Sequence, residues 1–455
     1  MNAFYVICGL GVFSLVSEII NLKRWLIAIV MIGMAAAVLL AARDWNLSLS
    51  YYSDMVVFDN FAIAITALIA VLGLLWFWMA SRYFHDETHL TDQAALVLFS
   101  ISGGVLMASF NNMAMLFLGI EILSIALYVL AGSRKLSLSS NEAAFKYFLM
   151  GSFATGFLLM GIALIYGATA SFRLDVIASY VAGHSDIPGF FYVGVLLMLV
   201  GMAFKISAAP FHFWAPDVYE GSPTPITAFM STIVKVAAFA AFFRLFASTF
   251  QGVQETWLTA LQVITVLTLV LANVAAVYQN SVKRMLAYSS VGHAGYVLLG
   301  LTSGGPESGG VIFYYLAVYA FASLSAFAVL YMEEGNGYDV TVDRFNGLFK
   351  KNPFVAVALT ISLLSLAGIP PLAGFFGKYL VFSLALAKGY TGLVLLAVVT
   401  SLIGVYYYFK VIIAMYMKEP VGQEVQASTS MKIWMMILIA LNLVLGIFPD
   451  LANFL

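Results

Sequence analysis

The chain has 455 residues, 63% hydrophobic and only 9% charged, with a formal net charge of −1 and a mean hydropathy of +0.99. Ordinary soluble domains carry roughly 25% charged residues, so this composition excludes a water-soluble globular fold, and the balanced charge gives no case for a nucleic-acid partner. The one cysteine, Cys8, can neither close an internal disulfide nor supply the roughly four thiolates an iron-sulfur cluster needs.

A spanning helix needs about 20 mainly apolar residues. Runs of that kind, bounded by charge, Gly, Pro or Asn, predict an all-α polytopic membrane protein with about fourteen spans. In chain order they are 4–20, 25–42, 60–81, 93–110, 113–131, 144–168, 189–209, 225–248, 256–278, 284–302, 309–332, 354–386, 391–417 and 432–449. The first run has no basic stretch before it and no small-residue cleavage site after it, so it is expected to stay as a span. Loops after odd-numbered spans hold twelve basic residues, among them Lys23, Arg134, Arg284 and Lys350, against four after even-numbered spans, Arg43, Arg173, Arg244 and Lys388. Basic loops stay cytoplasmic, so both termini are expected on the outer, periplasmic side.

Five lysines remain inside spans. A charge at the bilayer centre costs about 2.5 to 3.5 kcal/mol on insertion scales, and an intramembrane ionisable group is a functional candidate for that reason. Glu121 stands mid-span in LFLGIEILSIALYVL, too deep for its short side chain to reach water; it is either a proton carrier or a hydrogen-bonded structural carboxyl. Lys205, in GMAFKISAAPFHFWAP, lies five residues before Pro210. A proline leaves a carbonyl unpaired and breaks the ladder. A lysine beside a broken helix suits an ion path, although it could also snorkel to the headgroups. Lys235 is central in the eighth span, roughly 15 Å from either end at the helical rise, where snorkelling is harder. Lys378 follows a second break at Pro370 and Pro371, loosened further by Gly368, Gly374 and Gly377.

Lys410 lies near Lys418 at the end of its span and divides between relay and snorkelling. Lys146, four residues after Glu142, reads as a surface i,i+4 pair. His293, with Ser289, Ser290 and Tyr296 nearby, is either a relay or a satisfied core histidine. His85 and His89 have the spacing of a metal pair within HDETH, but the acidic loop around them is expected to be solvated, so no metal site is assigned.

The broken spans are the seventh and twelfth, and an odd offset of five gives two copies opposite topology, as in inverted-repeat transporters. Glu121 to His293 is 172 residues, Lys205 to Lys378 is 173 and Lys235 to Lys410 is 175. Those offsets predict two inverted five-helix repeats, spans 4–8 (residues 93–248) and 9–13 (256–417). Three helices would precede them (1–92) and one would follow (432–455), all in a single membrane domain.

The stretches EAAFKYFLMGSFATGFLLMGIALIYG, AFKISAAPFHFWAPDVYEGSPTPITAFMSTIVKVAAF, SVKRMLAYSSVGHAGY and LAGIPPLAGFFGKY resemble the antiporter-like membrane subunits of respiratory NADH-quinone oxidoreductase, complex I. Lysine at 378 suits the N and L types better than M, and lysine at 235 favours N. The resemblance implies fourteen helices with broken helices seven and twelve. It also implies a proton path in which Glu121 pairs with Lys205, Lys235 connects and Lys378 terminates, with a relay or structural polar role for His293; Lys410 stays a possible relay on its position alone. It implies no cofactor on this chain, with FMN, iron-sulfur clusters and quinone on partner subunits, and membrane subunits such as K, M and J as neighbours in the bacterial inner membrane. Stand-alone cation/proton antiporters share this ancestry and are the alternative. A membrane anchor whose charges only hold helices together is a further one.

Overall fold

The computed structural model describes residues 1–85, 89–184, 186–305, 308–334, 340–421 and 427–450. It is helical almost throughout, and among the described residues ten helices are long and apolar enough to cross a membrane unaided. The expected breaks and several boundaries follow from identifiable residues.

Helices α1 (Asn2–Val16) and α2 (Leu26–Arg43) are followed by a hairpin that the apolar pattern did not reveal, β1 (Leu49–Tyr51) paired antiparallel with β2 (Val56–Phe58). Next come α3 (Asn60–Met79), α4 (Leu90–Ser109), α5 (Met113–Ala131) and α6 (Leu138–Thr169). A short helix outside the expected spans, α7 (Leu174–Gly183), precedes α8 (Gly189–Lys205). Polar side chains start several of these helices by accepting an otherwise unpaired backbone N–H: Asp59 for α3, Asn112 for α5 and Ser137 for α6.

Helix α8 stops at Lys205 rather than at residue 209, and the chain resumes as α9 (Trp214–Gly221). Pro210 can neither donate to nor fit against the carbonyl four residues back, that of Ile206, so the ladder must end before it. The eighth expected span is not continuous. It consists of α10 (Thr224–Ser231) and α11 (Ile233–Phe243), interrupted at Thr232, whose ψ of −78° departs from the helix. Beyond it lie α12 (Gln254–Val277), α13 (Val282–Ser303), α14 (Ser308–Glu334), the single turn α15 (Leu348–Lys351) and α16 (Pro353–Ala367). Gly368, at φ +84°, caps α16 in the left-handed conformation that glycine adopts without strain. After the prolines the chain resumes as α17 (Ala373–Ala387), followed by α18 (Thr391–Met417) and α19 (Thr429–Ile447).

The chain divides into two compact units. The first comprises residues 1–206 and 233–261. In it α4 packs on α1, α3, α5 and α11, and α6 packs on α5 and α8. The α6 and α8 backbones nearly touch, because a Cβ built on Gly161 would stand 2.7 Å from the Gly194 carbonyl oxygen. Small residues give transmembrane helices this close approach. The second unit comprises 207–232 and 262–454. There α14 is the hub, packed on α10, α13, α16, α17 and α19, while α9 lies on α13.

Candidate functional site

In the first unit α5 and α8 bring two of the expected residues close to one small cavity. The Lys205 ammonium is buried and donates to Ser124 Oγ at 2.7 Å. Ser124 in turn donates to the Ile120 carbonyl. Glu121 stands three residues before Ser124, so the two share a face of α5, and its Oε1 atom is buried without a hydrogen-bond partner. The structure thus places Lys205 on the serine rather than in the expected direct pair with Glu121. A cavity of about 20 Å³, lined by Ser124, Tyr128, Thr155 and Lys205 among others, is large enough for a bridging water.

Lys205 is the last residue of α8. The open carbonyls of a helix C-terminus carry partial negative charge, so the half-helix itself favours an ammonium at this depth. Lys235 lies on α11, three residues beyond the interruption at Thr232, and is only 2% exposed. A snorkelling lysine would leave its head exposed, and neither Lys205 nor Lys235 does.

In the second unit Lys378 occupies a related setting by another route. Pro371 cannot donate to the Ala367 carbonyl four residues earlier, and that oxygen instead accepts the Lys378 ammonium at 2.8 Å. A second bond runs to Ser401 Oγ at 2.8 Å, and the ammonium sits 5.0 Å from the centre of the Tyr296 ring, within cation–π range. Lys205 therefore precedes its break and Lys378 follows its own. Only Lys378 meets an open carbonyl at the end of a half-helix, that of Ala367 on α16, while Lys205 bonds a serine on α5.

His293 is buried among tyrosines. Its Nδ1 lies 2.8 Å from Tyr315 Oη and its Nε2 lies 3.3 Å from Tyr408 Oη. Tyr408 also bonds Ser289, and Tyr319 donates to Ser290 Oγ at 2.9 Å. Ser289, Ser290 and Tyr296 were visible as its neighbours on one helix. Tyr315 and Tyr408 were not, since they arrive from α14 and α18, and the only sequence trace of them is the tyrosine runs 314–315 and 406–408.

Lys410 is half-buried and donates to the Gln279 carbonyl at 3.1 Å, closing the end of α12. It borders a surface cavity of about 550 Å³ together with Lys418 and Asp343, so it faces the loops rather than the interior lysines. Lys146 pairs with Glu142 at 2.7 Å on an exposed face, as the spacing suggested. Lys146→Ala is expected to cost no more than about 0.5 kcal/mol, read as an unchanged thermal midpoint in detergent. Residues 86–88 of the HDETH stretch and the His85 side chain lie outside the described structure. Among the described residues no cluster of His, Cys, Asp and Glu could hold a metal.

The family described as NADH:quinone oxidoreductase/Mrp antiporter, TM, matches residues 110–404. NADH-quinone oxidoreductase subunit N of Cytophaga hutchinsonii is 46% identical, over 99% of this chain and 98% of that protein. The subunit of the same name from Flavobacterium johnsoniae is 42% identical over 99% of both. Among solved structures, a chain of respiratory complex I from Thermus thermophilus with bound aureothin has a TM-score of 0.84 at 33% identity, covering 99% of this chain and 98% of that one. A chain of the Mrp complex from Dietzia shares the fold, with a TM-score of 0.87 at 20% identity over 99% and 96% of the two chains. With near full-length matches above 40% identity, the chain belongs to the subunit N family of NADH-quinone oxidoreductase.

Proposed function

We propose that this chain is the N-type, proton-translocating subunit in the membrane arm of an NADH-quinone oxidoreductase of the bacterial inner membrane. It would move protons in response to electron transfer carried out on other subunits, and would carry no redox centre itself. The observation that carries the reading is the pair of buried ammoniums, Lys205 and Lys378, each on a residue beside a helix break and hydrogen-bonded to neutral oxygens. Neutral oxygens can hold a proton on a lysine without locking it there as a contact carboxylate would.

In this reading fourteen spans form two inverted five-helix repeats, 4–8 and 9–13, with α8–α9 and α16–α17 as the broken seventh and twelfth helices and both termini outside. Glu121, off the lysine by one turn of α5, acts as the movable counter-charge. When it and Lys205 draw together the proton is retained on the lysine, and when they separate it leaves past Lys235 toward Lys378. His293 serves as a relay in the second unit, and Lys410, at the loop end, as an entry group. Each proton moved against 100 mV requires about 2.3 kcal/mol; separating a buried charge pair costs that order of free energy or more, so when electron transfer drives the separation the proton left on the lysine is raised in energy by enough to leave. Membrane subunits of the same complex, K, M and J among them, are the expected neighbours.

The test is Lys205→Ala in the assembled complex in proteoliposomes. Proton translocation and coupled quinone reduction should be lost, while reduction of ferricyanide by NADH, which bypasses the membrane arm, continues. Full pumping by that variant would sink the reading.

A further inference from the structure

The geometry points to a hydroxyl wire across His293 in which Tyr408 and Tyr315 are the proton-transferring groups on the two sides of the ring. The inference rests on the reading of this chain as a proton translocator and names hydroxyls that carry the proton in its second unit. Both ring nitrogens of His293 face a tyrosine oxygen, Nδ1 that of Tyr315 and Nε2 that of Tyr408. The two tyrosines stand on different helices, α14 and α18. A histidine held only for packing needs one such bond. Here the ring is buried and engaged at both ends, so in its neutral form it must accept from one tyrosine and donate to the other.

That requirement defines the step. Starting with the proton on Nδ1, Nε2 takes the hydroxyl proton of Tyr408, which regains one from Ser289 Oγ, its other hydrogen-bond partner. Ser289 is refilled from upstream. Nδ1 then releases its proton to Tyr315 Oη, which passes its own hydroxyl proton to a water in the small cavity that Tyr315 lines. Each oxygen again holds one proton, one proton has advanced, and the ring is left as the Nε2 tautomer. Resetting needs exchange with water, and a cavity of about 10 Å³ beside the ring, lined by His293, Tyr315 and Tyr319 among others, is close to the space a single water takes.

The ring environment also links this wire to the terminal lysine. Tyr296 lies edge-on to His293 with ring centres 5.8 Å apart, and it carries the Lys378 ammonium near its face. A cation on both His293 and Lys378 would be separated by a single aromatic ring, and like charges so placed repel. The wire is therefore expected to load His293 only after Lys378 has discharged.

Tyr406, on the same helix two residues before Tyr408 but 63% exposed, is the internal control. In the assembled complex in proteoliposomes, Tyr408→Phe and Tyr315→Phe should each slow proton translocation by about ten-fold or more, the scale of a lost positioned proton-transfer group. Ferricyanide reduction and subunit content should be unchanged, and Tyr406→Phe should stay within about two-fold of the parent. The solvent deuterium isotope effect on pumping should rise in Tyr408→Phe, which a packing defect would not produce. Parental pumping by Tyr408→Phe, in preparations where Lys205→Ala does not pump, would overturn the wire and leave the translocator reading standing. Pumping by both variants would remove that reading itself. An equal loss in Tyr406→Phe would also overturn the wire, by assigning the effect to the helix rather than to the groups on the ring. If Tyr408→Phe fails to assemble, Tyr315→Phe makes the same test from the other side of the ring.

Discussion

Gly374→Ala is expected to prevent the second unit from reaching its native packing, with the subunit lost from the assembled complex on native gels. A Cβ at this position would stand 1.7 Å from the Ser365 carbonyl oxygen and 2.6 Å from its carbon. Both are backbone atoms of α16, so no side-chain rotation relieves the overlap. The contact is one of several that hold α14, α16, α17 and α19 together. The Gly374 N–H donates to Ser365 Oγ, Ser365 Oγ donates to Asn442 Oδ1 at 2.7 Å, and Tyr314 Oη donates to the Leu445 carbonyl at 2.6 Å. A Cβ on Gly446 would likewise stand 2.3 Å from the Pro371 carbonyl oxygen. Overpacking in a close-packed interior costs about 1 to 3 kcal/mol where side chains can yield, and more is expected here. Lys378 stands one turn beyond Gly374, so even a partly folded variant would misplace the lysine. The contrasting substitution is Gly156→Ala, whose Cβ meets nothing within 4 Å on α6. It should stabilise the helix by roughly 0.5 to 1 kcal/mol. A Gly374→Ala subunit that assembles and melts like the parent would show that the α16–α17 approach is looser than described.

Arg344→Ala is expected to destabilise the second unit by about 3 to 5 kcal/mol. Glu333, at the end of α14, has a side chain only 1% exposed, and Arg344 Nε donates to its Oε2 at 3.1 Å. Removing the guanidinium leaves a carboxylate buried without its strongest partner, which costs more than the pair contributes when intact. The double variant Glu333→Met, Arg344→Met should therefore recover most of the loss, because neither charge remains to be buried. Thermal unfolding in detergent distinguishes the cases. A single variant within about 1 kcal/mol of the parent would mean that nearby groups such as Lys351 already satisfy Glu333.

These positions show what the sequence could and could not disclose. Spans were legible because a bilayer demands long apolar runs, and the described helices fall on them within a few residues at most ends. The breaks were legible because proline removes a donor. Their start was less so, since the clash acts four residues upstream and ends α8 at Lys205 rather than at Pro210. The interruption at Thr232 left no such mark, and neither did α7 or the β1–β2 hairpin, which are short and lack a sustained apolar run. Among the candidate residues, depth singled out Lys235, and depth together with a neighbouring proline break singled out Lys205 and Lys378, because burying a charge is costly wherever it occurs. Partners were harder. Glu121 and Ser124 present similar credentials from one face of α5, and only the packed geometry decides that the ammonium bonds the serine. Tyr315 and Tyr408 lie 22 and 115 residues from His293 along the chain, and nothing local marks them as its ligands.

Residues 207–232 pack within the second unit although they follow Lys205 and precede Lys235, which both belong to the first. The polypeptide therefore cannot be divided by a single cut into two self-sufficient halves. A break at Phe250 would leave α9 and α10 on a fragment without the α13 and α14 surfaces they cover. The other fragment would expose those surfaces to lipid. A gene split at that point should yield a working subunit only when both pieces are made together, the first lending its short helices to the second as they assemble.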